Sequence, residues 1–102
     1  MSKNWIALVK EQGELAQQIA DRVVQALGLP DLSSDQLNRL YRLVVQGSQD
    51  YEVFLDEMSE YDVPDGLEDA ADAIDNIWSN LVIGVANESR KRQGLEPIEI
   101  LA

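Results

Sequence analysis

Cysteine and histidine are both absent from this chain of 102 residues. Without cysteine there is no disulfide framework, no thiolate zinc site and no cysteine nucleophile. Without histidine the Ser-His-Asp and Cys-His arrangements, the usual imidazole base and the common zinc sites are excluded as well. Any catalysis would have to rest on carboxylates and a hard metal ion. Long apolar runs are lacking too, and Met1–Val9 does not place a charged stretch, an apolar block and a cleavage site in the order of a leader peptide. The expected compartment is the cytoplasm.

A fourth absence is local. From Leu43 to Ser89 there is no lysine or arginine, yet that stretch carries twelve carboxylates, while the flanks nearly balance and the whole chain has a net charge of −11. Such a field favours cationic partners or metal ions and opposes a phosphate backbone. Direct nucleic-acid binding is not expected, because the only basic cluster is Arg90-Lys91-Arg92.

What is present is a helical pattern. Apolar residues recur at three- and four-residue steps in three segments, so the expected fold is all-α and a single domain. The first helix is expected over about residues 4–27, with Trp5, Leu8, Leu15, Ile19, Val23 and Leu27 on its core face and Gly28 as a left-handed cap before Leu29-Pro30. The second is expected over about 34–61, capped by Ser33 or Ser34, with Ser33 and Gln36 in capping-box spacing. Its stripe reads Leu37, Tyr41, Val44, Tyr51, Leu55 and Met58, interrupted at Ser48. Asp62-Val63-Pro64-Asp65-Gly66 forms the next turn.

The third helix is expected over about 66–92, with Leu67, Ala71, Ile74, Trp78, Leu81 and Val85 as its stripe, Arg90-Lys91-Arg92 complementing its dipole and Gly94 closing it. In the tail, 95–102, Glu96-Pro97 could begin a short terminal helix. Helices of this length span about 40 Å, long for so small a chain, which leads to the expectation of an antiparallel helical bundle completed by homodimerisation.

The acidic residues fall on helix faces. Glu52, Asp56 and Glu60 lie on the solvent side of the second helix, and Glu68, Asp69, Asp72 and Asp75 cluster within about 120° on the third. Acids in a first helical turn offset the positive helix end, which accounts for Asp65, Glu68 and Asp69 without any functional role. An EF-hand is excluded, because setting Gly66 at the required glycine puts Tyr61 and Val63 at ligand positions.

Gly28-Leu29-Pro30, Arg42-Leu43-Val44, Gln46-Gly47-Ser48-Gln49-Asp50, Asp69-Ala70-Ala71-Asp72, Asn76 and Gly94-Leu95-Glu96-Pro97 together resemble the pattern of the MazG-like all-α nucleotide pyrophosphohydrolases and their phosphoribosyl-ATP pyrophosphohydrolase relatives. The resemblance runs from about Ala26 to Ile100. It implies magnesium held by Asp50, Asp69 and Asp72 and metal-assisted attack of water on a nucleotide phosphoanhydride. The chain departs from that pattern where the family has two metal-binding glutamates, here Gln46 and Gly47, and where it has a final aspartate, here Asn76.

The leading expectation is an acidic interaction protein with no catalytic residue and no cofactor. It would present Asp56, Glu57, Glu60, Asp62, Asp65, Asp69, Asp72 and Asp75 to a basic protein partner, as an inhibitor, immunity-type factor or nucleic-acid mimic. The alternatives are the magnesium-dependent hydrolase, an inactive relative of it, or a structural subunit whose acidity serves solubility.

Overall fold

A computed structural model describes residues 4–98. Among them the chain is all-helical, with α1 at Trp5–Leu27, α2 at Ser34–Met58 and α3 at Asp65–Arg92. Each start has a local cause. The Asn4 side chain accepts from the Ala7 N–H at 3.2 Å and caps α1. Ser33 and Gln36 form the reciprocal capping box of α2, with bonds of 3.1 and 2.8 Å. α3 follows Pro64 without a side-chain cap, and Asp65 and Glu68 sit in its positive first turn.

The ends differ from expectation in two places. Gly28 is right-handed, with φ −80°, because its N–H continues the helical pattern to Val24 and the stop is left to Leu29-Pro30. α2 ends at Met58, three residues early: Ser59 turns its hydroxyl onto the Asp56 carbonyl at 2.7 Å, and Glu60 and Tyr61 make the shorter-range bonds of a tightened turn. Gly94 does close α3, with φ +75° and the Leu95 N–H reaching back to the Arg90 carbonyl at 2.8 Å. The tail through Ile98 forms no helix. It lies against α3 through Asn87, whose side chain accepts from the Ile98 N–H at 2.6 Å and donates to the Ile98 carbonyl at 3.2 Å. The rest of the expected terminal helix falls outside the described residues.

The core is a set of seven-residue repeats: Val9, Ala16 and Val23 on α1; Leu37, Val44, Tyr51 and Met58 on α2; Ala71, Trp78 and Val85, with Ile74 and Leu81 between them, on α3. A 3.5-residue period is that of helices packed side by side as in a coiled coil. The repeat corrects the wider stripes expected from the sequence. Leu15 and Tyr41 are 47% and 41% exposed, whereas Val9 and Ala16 are buried, and Ser48 interrupts nothing because the α2 repeat passes it by. Small residues occupy the seam where backbones come close. A Cβ added at Gly13 would stand 3.3 Å from the Ile74 side chain, and one added at Gly47 would enter the Trp78 ring, 2.5 Å from Cη2.

α3 carries two core positions per heptad and packs against both other helices, while α1 and α2 meet each other only sparingly. Their meeting point is aromatic: the Trp5 ring lies 5.6 Å from Phe54 and 5.3 Å from Tyr61, and Phe54 stacks on Tyr51 at 5.7 Å. At the opposite end Arg92 donates to the Leu32 carbonyl at 2.7 Å and pairs with Glu88 at 3.3 Å, tying the end of α3 to the α1–α2 loop. The result is a slab of 50 × 24 × 17 Å. Its radius of gyration, 15.5 Å, exceeds the value of about 13 Å usual for this length.

Candidate functional site

Three of the acidic side chains converge where the C-terminal end of α2 faces the N-terminal end of α3. Leu55, Met58, Val63 and Ala71 floor an open cleft of about 310 Å³, and Asp56, Glu68 and Asp72 stand on its rim. The heptad packing determines this placement. With Tyr51 and Met58 turned inward on α2, Asp56 falls on the outer edge toward α3. With Ala71 and Ile74 inward on α3, Glu68, Asp72 and Asp75 fall on the matching edge toward α2.

Tyr51 locks the two edges together. Its hydroxyl donates to the Ala71 carbonyl at 2.7 Å in the buried seam. Burial, followed by the nearby Asp75 and Asp72 carboxylates, pushes this hydroxyl up to about 12. Two carboxylates thus act together on one buried group, which is the electrostatic counterpart of their shared face. No ion pair engages Asp56, Glu68 or Asp72 among the described residues. The cation-free stretch from Leu43 to Ser89 leaves none within reach on the same two edges.

The other expected residues are distributed around the cleft. Asp69 is exposed on α3, outside the rim, and Asp65 opens that helix. Glu60 and Asp62 lie exposed in the α2–α3 connection, Asp75 is half-buried beside the Tyr51 seam, and Glu57 is half-buried on α2. Tyr61 packs its ring on Trp5 and stays 49% exposed. Glu68 was absent from the expected partner face. The signal for it was the 68-72-75 spacing, which sets one edge of the helix.

Asp50 is remote from this cleft. It accepts from Gln46 at 2.9 Å and borders a second groove, between α1 and α2, floored by Trp78. The three carboxylates that the pyrophosphohydrolase resemblance implies as magnesium ligands are therefore divided: Asp50 lies on the α1–α2 groove, Asp72 on the α2–α3 cleft, and Asp69 outside both rims. No group of three or more such side chains able to hold a metal ion occurs among the described residues. The two glutamates of the family pattern are also missing, and Gly47 serves packing, admitting the Trp78 ring against the α2 backbone. The residues present do not fit a magnesium cage.

Among the described residues no helix is long and apolar enough to cross a membrane. No protein-family model matches the chain, and comparison with curated proteins and with solved structures finds no match.

Proposed function

We propose that this is an acidic helical interaction protein of the cytoplasm, acting as a homodimer, that captures a basic segment of a partner protein in the α2–α3 cleft. Its effect on the partner would be inhibitory, immunity-type or nucleic-acid-mimicking. The observation that carries this reading is the pairing of an apolar floor, Leu55, Met58, Val63 and Ala71, with a rim of unpaired carboxylates, Asp56, Glu68 and Asp72. Lysine and arginine combine an aliphatic stem with a cationic head, so one side chain can lay its stem along the floor and place its head at the rim. The surrounding acids, Glu60, Asp62, Asp65, Asp69 and Asp75, extend the negative field along both helices and speed encounter with a cationic surface. The role needs no catalytic group, which suits a chain without histidine or cysteine.

The test is affinity capture on the immobilised protein at low and raised salt, beside a variant carrying Asp56→Asn, Glu68→Gln and Asp72→Asn. A basic protein is expected to be retained at roughly 50 mM salt and released as the Debye length shortens toward roughly 0.3 M. The triple variant should lose it at every salt concentration. A partner held equally by the variant, or one indifferent to salt, would refute the cleft as the binding site.

A further inference from the structure

The groove between α1 and α2 has a different chemistry from the α2–α3 cleft. It holds about 400 Å³ and is lined by Gln12, Leu15 and Ile19 of α1, by Leu43, Gln46 and Asp50 of α2, and by Trp78 beneath. Leu15 and Leu43 leave 47% and 46% of their surface in solvent at its mouth. α1 and α2 both lean on α3 and touch each other little, so the corner opposite α3, which a fourth helix fills in a four-helix bundle, is vacant.

Of the lining residues, Leu15 on α1 and Leu43, Gln46 and Asp50 on α2 belong to a second pair of heptad stripes, which heptad spacing extends along the same helices beyond the groove to Leu8, Glu11, Gln18 and Arg22 on α1 and to Arg39 and Val53 on α2. The helices run antiparallel, since Trp5 packs beside Phe54 and Tyr61 while residues 28–33 join the other ends. Glu11 and Asp50 therefore fall toward the aromatic end of the groove, and Arg22 and Arg39 toward the loop end, with the leucines between. Seven residues separate Leu15 from Arg22, roughly 10 Å along the helix at 1.5 Å per residue.

A surface that is apolar in the middle, acidic at one end and basic at the other is complementary to itself after a half-turn. A two-fold axis through its centre sets the acidic end of each copy against the basic end of the other. We infer that the occupant of this groove is a second copy of the chain, docked antiparallel, with Leu15 and Leu43 at the centre of an isologous interface and Glu11 and Asp50 facing Arg22 and Arg39 of the other protomer. This rests on the homodimer reading and specifies its face. It leaves the α2–α3 cleft open on both protomers.

The experiment is light scattering and sedimentation of the full chain. The native protein is expected at twice the monomer mass of 11.4 kDa. Leu15→Glu with Leu43→Glu should raise the dimer dissociation constant roughly a hundredfold, the scale for charging two buried leucines, while circular dichroism stays native because both side chains already meet solvent. Two charge-reversed proteins then test the geometry: one with Glu11→Arg and Asp50→Arg, the other with Arg22→Glu and Arg39→Glu. Each alone should dimerise more weakly than the native chain, because only the antiparallel arrangement sets opposite charges face to face in the native dimer, and an equimolar mixture should recover a heterodimer. A monomeric native protein overturns the homodimer itself. A native dimer indifferent to the leucine changes overturns this face alone, and charge-reversed proteins that dimerise alone as tightly as the native chain, or whose mixture does not recover, overturn the two-fold arrangement. None of these outcomes bears on Asp56, Glu68 and Asp72, whose triple variant should dimerise normally.

Discussion

Replacing Gly47 by alanine sets two effects against each other. In the interior of a helix the change is ordinarily favourable by about 0.8–1 kcal/mol, since alanine orders more readily than glycine. Gly47 lies in the middle of α2, but its missing Cβ is where the Trp78 ring sits, with Cη2 2.5 Å and Cε3 3.2 Å from the position that Cβ would take. That ring is rigid and buried between α1 and α2, so it cannot swing into solvent. Forcing an extra methyl into a packed seam costs about 1–3 kcal/mol. The steric cost exceeds the propensity gain, and a net destabilisation of about 1 kcal/mol is expected, which in a domain of this size lowers the melting temperature by about 5 °C. Gly84, in the middle of α3, is the internal control. Nothing lies within 4 Å of a Cβ there, so Gly84→Ala should raise the melting temperature by up to about 5 °C. Thermal melts of the two proteins by circular dichroism should thus shift in opposite directions. Repeating Gly47→Ala in a Trp78→Phe background should shrink its penalty, because residues in contact couple by about 0.5–3 kcal/mol. If Gly47→Ala stabilises as much as Gly84→Ala, the close approach of Trp78 to α2 is refuted.

Two further expectations concern the same bundle. Tyr51 titrates near 10 in an unfolded chain and is pushed up to about 12 by burial and by Asp75 and Asp72 in the fold. The folded state therefore holds this proton more tightly. The associated stability is intact below pH 10 and is lost as pH rises toward 12. Alkaline melts should show that decline, and Tyr51→Phe, which also removes the bond to the Ala71 carbonyl, should flatten it while lowering neutral-pH stability by about 1 kcal/mol. An unchanged alkaline profile in that variant would refute the assignment. Ser33→Ala removes one half of the α2 capping box and should destabilise by about 1 kcal/mol, read in urea as a lower midpoint at an unchanged slope.

The helix count and the start of α2 were legible because they depend on nearest neighbours along the chain. The Ser33/Gln36 spacing, the proline at position 64 and the glycine at position 94 each act within a turn. The core was less legible, because the expectation favoured large apolar side chains on a broad face. Leu15 and Tyr41 belonged to that face, yet the helices pack on a narrow seven-residue seam that takes Val9 and Ala16 instead of Leu15 and keeps Val44 without Tyr41. The strict 9-16-23, 37-44-51-58 and 71-78-85 spacings carried that information. The candidate cleft was legible in part. Asp56 and Asp72 could be placed on their helices from the sequence, but that they share a rim depends on how α2 and α3 are rotated against each other. The same rotation sends Asp50 to the opposite side of α2.

The order of the helices along the chain has a consequence for synthesis. The helix on which both others lean is made after them. As the chain leaves the ribosome, α1 and α2 emerge with Val9, Ala16, Val23, Leu37, Val44 and Tyr51 facing no finished seam. The residues that complete it, Ala71 to Val85, follow only afterwards. Folding of this bundle is thus deferred until α3 has emerged, and before that the chain has two sticky stripes and no core. Such an intermediate is prone to aggregate. Six carboxylates, from Asp50 to Asp62, emerge ahead of α3, and their repulsion would keep waiting chains apart until the third helix arrives.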